Sequence, residues 1–260
     1  MEGKNQARRH FLPRPGGWLA VISLLLPFVI WQVLSGFPKM TAFLLPSPLR
    51  VSVRFGEMLA DGSLLRHAGY TLAEVLLGLA LGSALATLTG YALARSPLLE
   101  RMLSPYLVAS QAVPVVAIAP LLVIWFGPGL FSKVLICALI VFFPVLVNTV
   151  VGLRAVPQNL RDLMVALRAP QAQILWHLEI PAALPVLLGG LRIGATLSVI
   201  GAVVGEFVGS DRGLGFLVNV GRGRYDTAMV FVAIITLILM ALMLYGVAVL
   251  VEKRLLRWEA

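Results

Sequence analysis

Residues 157–185, PQNLRDLMVALRAPQAQILWHLEIPAALP, are a polar interruption between two long apolar runs. The segment contains four prolines, and its charged side chains are Arg161, Asp162, Arg168 and Glu179. The runs that flank it approach the roughly 20 residues that a helix needs to cross the hydrocarbon core of a bilayer. A polar segment of this length between such runs indicates a structured loop at one face of a membrane, where a partner docks.

The composition places the chain among membrane proteins. Of its 260 residues, 59% are hydrophobic and 13% are charged, whereas a soluble domain is about one quarter charged. The net charge of +9 comes from basic residues near the ends of the apolar runs, which is typical of membrane topology rather than of nucleic-acid binding. The single cysteine, Cys137, lies inside an apolar run, which excludes an intrachain disulfide and a thiolate metal site.

The apolar runs predict an all-α, polytopic membrane helix bundle with about six transmembrane helices. The predicted spans are residues 17–35, 69–94, 103–125, 130–153, 184–208 and 227–251. Before the second span, Pro46-Ser47-Pro48 predicts the start of a short helix along the outer membrane surface, with Ser47 as its cap.

Lys and Arg are more frequent in the segments on the same side of the membrane as the N-terminus, so both termini are predicted to be cytoplasmic. The polar segment then faces the cytoplasm as well. The predicted parts of the chain are a cytoplasmic tail (1–16), a first span with the outer helix (17–67), a core domain (68–252) that includes the cytoplasmic loop (154–183), and a cytoplasmic tail (253–260).

Two spans carry small residues on one face at helical spacing. The stripes are Gly78, Gly82, Ala86 and Gly90 in the second span, and Gly189, Gly190, Gly194 and Ala195 in the fifth. Small residues let two helices approach closely. The stripes therefore predict close packing, either inside the bundle or against a second copy of the chain.

The polar segment itself predicts two short amphipathic helices. Pro157 suits a helix start, and an apolar stripe follows at positions i, i+3, i+4 and i+7 (Leu160, Leu163, Met164 and Leu167). Pro170 predicts the end of the first helix. A second short helix is predicted to run from Pro170 to about Glu179, before Pro181 and Pro185 break the chain. The result would be a helical hairpin on the cytoplasmic face.

This segment resembles the cytoplasmic loop of permeases of ATP-binding-cassette (ABC) importers, which has the form E-A-A-x3-G-x9-I-x-L-P. The positions that correspond to that motif are Asp162, Leu163 and Met164 for E-A-A, Arg168 for Gly, and Leu178, Ile180 and Pro181 for I, L and P. The spacing is kept throughout. Arg168 is the main departure, because Gly adopts a positive φ readily and another residue does so at a cost of roughly 1 kcal/mol. The geometry of the bend is therefore left open.

Further short motifs resemble the nitrate/sulfonate/taurine-type permeases among the binding-protein-dependent transport components. They are Leu45-Pro46-Ser47-Pro48, Trp125-Phe126-Gly127, Phe143-Pro144 and Gly213-Leu214-Gly215. The resemblance covers roughly residues 40–258, and residues 184–216 look most like the branch that handles riboflavin and pyrimidine vitamin precursors.

The resemblance implies a type I ABC importer permease in a bacterial inner membrane. It implies two permeases, as a homodimer or a pseudo-dimer, cytoplasmic ATPase subunits that bind the loop, and an extracytoplasmic substrate-binding protein. ATP and Mg would be bound by the ATPase, because this chain has no phosphate-loop motif and no candidate catalytic set, so it is expected to be neither an enzyme nor a cofactor carrier. The substrate would be riboflavin or a pyrimidine vitamin precursor, or otherwise a sulfonate- or nitrate-like anion.

Polar residues inside the spans are candidates for the pathway or a gate: Gln111, Asn148, Ser198 and Glu206. Each of them could instead bond another helix or its own backbone. Glu206 is either functional or an interfacial carboxylate paired with Arg212 or Arg222, and Glu74 is expected to be interfacial too.

A secondary transporter or channel that is not driven by ATP is the alternative. It would require coupling-ion or filter residues near the bilayer midplane, where the sequence shows no unpaired acidic cluster.

Overall fold

The computed structural model describes residues 17–36 and 44–256, which are helices joined by short turns, without strands. The predicted tail 1–16 and the last residues of the predicted tail 253–260 lie outside the described part. The helices are α1 (Gly17–Ser35), α2 (Pro48–Ala60), α3 (Ser63–Arg95), α4 (Pro97–Gln111), α5 (Val115–Phe126), α6 (Leu130–Arg154), α7 (Gln158–Ala166), α8 (Gln171–Ile174), α9 (Ile180–Gly209), α10 (Leu214–Gly223) and α11 (Thr227–Leu255).

Four helices are long and apolar enough to cross a membrane, and they confirm four of the predicted spans. They are α3, α6, α11 and the continuous helical stretch Gln171–Gly209. The described residues thus contain four such helices, or five when α4 and α5 are taken together. The first predicted span has the same bounds as α1, Gly17–Ser35.

The third predicted span is not one straight helix. α4 and α5 meet at an angle of 94°. Pro114 lies at the start of α5 with extended geometry (φ −63°, ψ 120°). A proline disfavours helical geometry at the residue before it and has no N–H to continue the hydrogen-bond ladder. Gln111, the last residue of α4, therefore lies at the corner of a bent pair.

The helix α6 lies between α3 and α9, and small residues allow the close approach. A Cβ atom at Gly82 of α3 would lie 2.6 Å from the carbonyl oxygen of Ala138, and one at Gly201 of α9 would lie 2.7 Å from the Cα of Cys137. Cys137 is fully buried at this centre. The small-residue stripe of α3 and Gly190 and Gly194 of α9 therefore pack inside the bundle, against α6.

The prediction that Pro181 and Pro185 break the chain is wrong. The chain stays helical from Gln171 to Gly209, through a π-helical turn at Leu175–Glu179 that precedes Pro181. A π-helical turn shifts the hydrogen-bond register by one residue. The wider turn therefore brings the chain to Pro181 at the first turn of α9, where a missing N–H is tolerated. The predicted second hairpin helix is the first part of the long helical stretch.

The short helix α2 begins as predicted. The Ser47 hydroxyl accepts a hydrogen bond from the N–H of Arg50, and Pro48 follows it. Val51 and Met58 are buried, in the same core cluster as residues of α3 and α11.

Arg54 of α2 forms an ion pair with Asp226 at 2.9 Å, just before α11. A hydrogen bond to Glu57 raises the pKa of the Arg54 guanidinium above its ordinary value.

Candidate functional site

The bend after α7 has the geometry that glycine would normally supply. Arg168 has a positive φ of 56°. Its N–H donates to the Val165 carbonyl at 2.9 Å, and the Ala169 N–H donates to the Met164 carbonyl at 3.0 Å. These two bonds, with a left-handed residue after the helix end, form a Schellman motif. Arg168, at the position where the resembled loop has glycine, therefore adopts the left-handed conformation that ends α7.

The predicted apolar stripe of α7 lies on the surface. Leu160, Leu163 and Leu167 are 40%, 54% and 69% exposed, and we call these three residues the α7 patch. Met164, the fourth residue of the stripe, is half-buried, whereas Asp162 is exposed and accepts a hydrogen bond from Gln158 at 2.9 Å. Exposed leucines grouped on a short helix are typical of a contact surface for a partner.

The second half of the motif is placed differently. Leu178, Ile180 and Pro181 are half-buried where the π-helical turn passes into α9. They therefore fix the start of the long helix to the bundle. Trp176, on the same turn, is 66% exposed. It is not among the residues that the sequence predicts for the site, although an exposed tryptophan beside the loop fits a contact role.

The main residue that the sequence analysis missed is Glu179. Its side chain is 1% exposed and forms ion pairs with Arg95 at 2.7 Å and Arg161 at 3.4 Å. Arg161 also donates to the carbonyl of Leu153 at 2.8 Å. This cluster joins the ends of α3 and α6, α7 and the π-helical turn. The signal in the sequence was that Glu179 is the only Asp, Glu, Lys or Arg among residues 169–185.

A second polar cluster surrounds Glu206 at the other end of α9. The Glu206 carboxylate, 1% exposed, accepts hydrogen bonds from the Thr71 hydroxyl at 2.6 Å and from the Gly215 N–H. The Leu214 N–H donates to the same hydroxyl at 2.8 Å, and the Gly213 N–H donates to His67 at 3.0 Å. Glu206 thus holds the start of α10 against α3.

The predicted pairing of Glu206 with Arg212 or Arg222 is wrong, because the carboxylate turns inward to these donors. Arg212 instead pairs with Asp211 at 3.3 Å and donates to the Tyr70 hydroxyl at 2.8 Å. That hydrogen bond raises the pKa of Arg212. Glu74, which was expected to be interfacial, is buried inside the protein, with 5% exposure.

Glu74 and Arg212 line a cavity of about 400 Å³ beside this cluster. Its other lining residues are Tyr70, Ala73, Pro128, Gly129, Leu130, Lys133, Ser210 and Asp211.

The remaining pathway candidates lie apart from each other. The Asn148 amide donates to the Pro144 carbonyl at 2.8 Å, and the fully buried Ser198 hydroxyl donates to the Ala195 carbonyl at 2.8 Å. Both polar groups are thus used within their own helices. Gln111 is exposed and lines a cavity of about 180 Å³ between α4 and α6.

Comparison with known proteins places these features in a class. Residues 68–257 match the family described as binding-protein-dependent transport system inner membrane components. The chain belongs to this family: it is a multi-pass permease subunit of the ABC transporter class, and the alternative of a transporter without an ATPase is set aside. Members of such importers work with an ATPase and a substrate-binding protein.

The proteins similar to this chain include permeases named for different substrates. The chain is 49% identical to a riboflavin transport system permease of Chloroflexus aurantiacus, over 92% of this chain and 89% of the relative. It is 36% identical to a formylaminopyrimidine transport permease of Halalkalibacterium halodurans, over 90% and 93%. A putative aliphatic sulfonates permease of Bacillus subtilis is 34% identical, over 94% and 88%.

The fold is similar to that of a solved transporter. An inward-facing structure of the MetNI methionine ABC transporter superposes with a TM-score of 0.66 and 18% sequence identity, over 75% of this chain and 97% of that chain. The predicted all-α permease fold is therefore confirmed.

Proposed function

We propose that this chain imports riboflavin or a pyrimidine vitamin precursor, and that α7 is the surface on which a separate cytoplasmic ATPase acts. The names of the riboflavin and formylaminopyrimidine relatives, at 49% and 36% identity, support this substrate class. A sulfonate-like anion is the second candidate, because a putative sulfonates permease is 34% identical.

The exposed α7 patch is the observation that carries the docking role. Two leucines on a helix of nine residues and a third at its C-cap face solvent. Burying them against a partner would be favourable by about 25 cal/mol for each Å² of apolar surface removed from water. The Schellman bend at Arg168 fixes the direction in which α7 leaves the bundle. Asp162, exposed beside the patch, is available to a basic group of the ATPase.

The proposed assembly is a homodimer of this chain in the bacterial inner membrane, with both termini in the cytoplasm. The ATPase subunits bind ATP and Mg²⁺ on the cytoplasmic side, and the substrate-binding protein docks on the outer side. Gln111, at the exposed corner between α4 and α5, is the proposed pathway residue. Glu206 is proposed as a lock that holds the outer helix α10 on α3, since its contacts are made there.

Co-purification with the ATPase encoded alongside this permease tests the docking surface. Leu163→Asp places a charge in the α7 patch and is expected to abolish co-purification, while the variant still inserts into the membrane. Asn159→Asp adds the same charge to an exposed position of α7 outside the patch and is expected to leave co-purification intact. Retention of the ATPase by Leu163→Asp, with normal uptake, would contradict the docking role.

The same wild-type assembly, reconstituted with its binding protein, tests the substrate. The expected result is uptake of labelled riboflavin. Unlabelled riboflavin or an aminopyrimidine precursor should reduce this uptake, whereas taurine should not. Uptake of labelled taurine without uptake of labelled riboflavin would favour the sulfonate candidate.

A further inference from the structure

The buried ion-pair cluster at Glu179 is incompletely bonded. One oxygen of this carboxylate accepts a hydrogen bond from Arg95 at 2.7 Å. The other oxygen, Oε1, is buried and has no hydrogen-bond partner, and the same is true of the Nε atom of Arg161. A buried polar atom without a partner costs free energy, and a buried charged group costs more. Both incompletely bonded side chains belong to one ion pair.

The geometry shows why this pair is incomplete. Arg161 uses its Nη2 atom to donate to the Leu153 carbonyl at the end of α6. The same atom lies 3.4 Å from Glu179 Oε1, beyond the usual hydrogen-bond length of about 2.9 Å. A small displacement of α7, which carries Arg161, would bring the pair into full contact. Arg161 is therefore placed to exchange its bond to α6 for a bond to Glu179.

We infer that Glu179 is a positioning residue that transmits movement of α7 to the membrane helices. When α7 shifts, Arg161 closes on Glu179, and Glu179 carries the displacement both to Arg95 at the end of α3 and, through the π-helical turn, to α9. A π-helical turn is a common site of local adjustment in helices. This inference rests on the proposed function, since it takes α7 to be the helix on which the ATPase acts.

The test compares transport with ATP hydrolysis in the reconstituted importer. Glu179→Gln keeps an oxygen that can accept from Arg95 but removes the charge and one acceptor facing Arg161. Arg161→Gln removes the other partner of the ion pair. The Arg161 side chain is 30% exposed, so this variant is expected to fold, and it tests the inference even if Glu179→Gln fails to insert into the membrane. Both variants are expected to lower the amount of substrate moved per ATP hydrolysed by at least about fivefold, the size of a modest coupling between sites.

The matched control is Glu100→Gln. Glu100 forms an ion pair with Arg154 at 2.5 Å, also near the inner ends of the helices, but this pair joins α4 to α6 and leaves α7 untouched. It is expected to keep the wild-type ratio of transport to hydrolysis. The double variant of Glu179 and Arg161 should be no worse than either single one, because the two changes remove one shared contact.

Three results would overturn the inference: a wild-type ratio in both single variants, an equal loss in Glu100→Gln, or additive losses in the double variant. Failure of the wild-type chain to co-purify with the ATPase is a different outcome, because it would contradict the proposed function before any variant is compared.

Discussion

At the scale of single residues, Arg168 shows that a residue other than glycine can end a helix in the left-handed conformation. Its φ of 56° lies in the left-handed region, which costs a residue with a side chain about 1–2 kcal/mol. The two hydrogen bonds of the Schellman motif and Pro170, which stops the helix from continuing, hold the residue there. The side chain is exposed, so the constraint on this position comes from the backbone.

This reasoning predicts the effect of substitution at Arg168. Arg168→Gly is expected to keep wild-type uptake and to change the free energy of unfolding by no more than about 1 kcal/mol, because relief of the backbone strain is offset by the greater freedom of glycine when unfolded. Arg168→Val should lower stability, because a β-branched residue tolerates positive φ poorly. Thermal unfolding of the two purified variants measures both changes in stability. A loss of uptake in Arg168→Gly at normal stability would show that the side chain makes a specific contact.

The sequence predicted this bend in part. The spacing of Pro157, Pro170 and the leucines predicted the bounds of α7 well, because helix starts and stops depend on local chemistry. The sign of φ at Arg168 was left open, since arginine has no preference for that region. The contacts of Glu179 and Glu206 were harder to predict, because the partners of these buried carboxylates, here Arg95 and Thr71, are distant in sequence.

At the scale of elements, two prolines have opposite effects on the continuity of the helix. Pro114 stands between two helices at 94° to each other, whereas Pro181 lies within a continuous helical stretch after a π-helical turn. Local preference is the same in both cases, so the tertiary surroundings decide. Leu178 and Ile180 are half-buried against the bundle, and that packing stabilises a helix through Pro181 that propensity alone would end.

The packing of α3 on α6 gives a second prediction, with a matched pair in one helix. Gly82→Ala would place a methyl group 2.6 Å from the Ala138 carbonyl oxygen and 2.9 Å from its Cα. These are backbone atoms, so the helices must separate, and we expect a loss of about 1–3 kcal/mol. Gly69→Ala meets nothing within 4 Å and should be neutral or stabilising, because alanine favours helix over glycine by about 0.5–1 kcal/mol.

Melting temperatures of the two purified variants in one detergent check this pair. Equal melting temperatures would mean that α3 and α6 lie further apart than the structure shows. A lower value for Gly82→Ala alone would confirm that the stripe serves packing within one copy.

At the scale of the whole molecule, two buried carboxylates mark the two ends of one helical stretch. Glu179 precedes α9 and bonds to Arg95 at the end of α3, whereas Glu206 lies near the end of α9 and bonds to Thr71 near the start of α3. The same two helices are therefore tied together at both ends. A shift that begins at α7 could reach the α10 lock along α9 without any change in the apolar middle of the bundle.

This arrangement has a functional meaning only if the two ends face opposite sides of the membrane, which leads to the last prediction. Cys137, the single cysteine, is fully buried, so introduced cysteines can be labelled without background. Gly223→Cys, at the exposed end of α10, should react with a membrane-impermeant maleimide in intact cells. Asn159→Cys, on exposed α7, should react only after the membrane is opened, when expressed without the ATPase. The wild-type chain should stay unlabelled, and the reverse pattern would place the α7 patch outside the cell, where no ATPase could reach it.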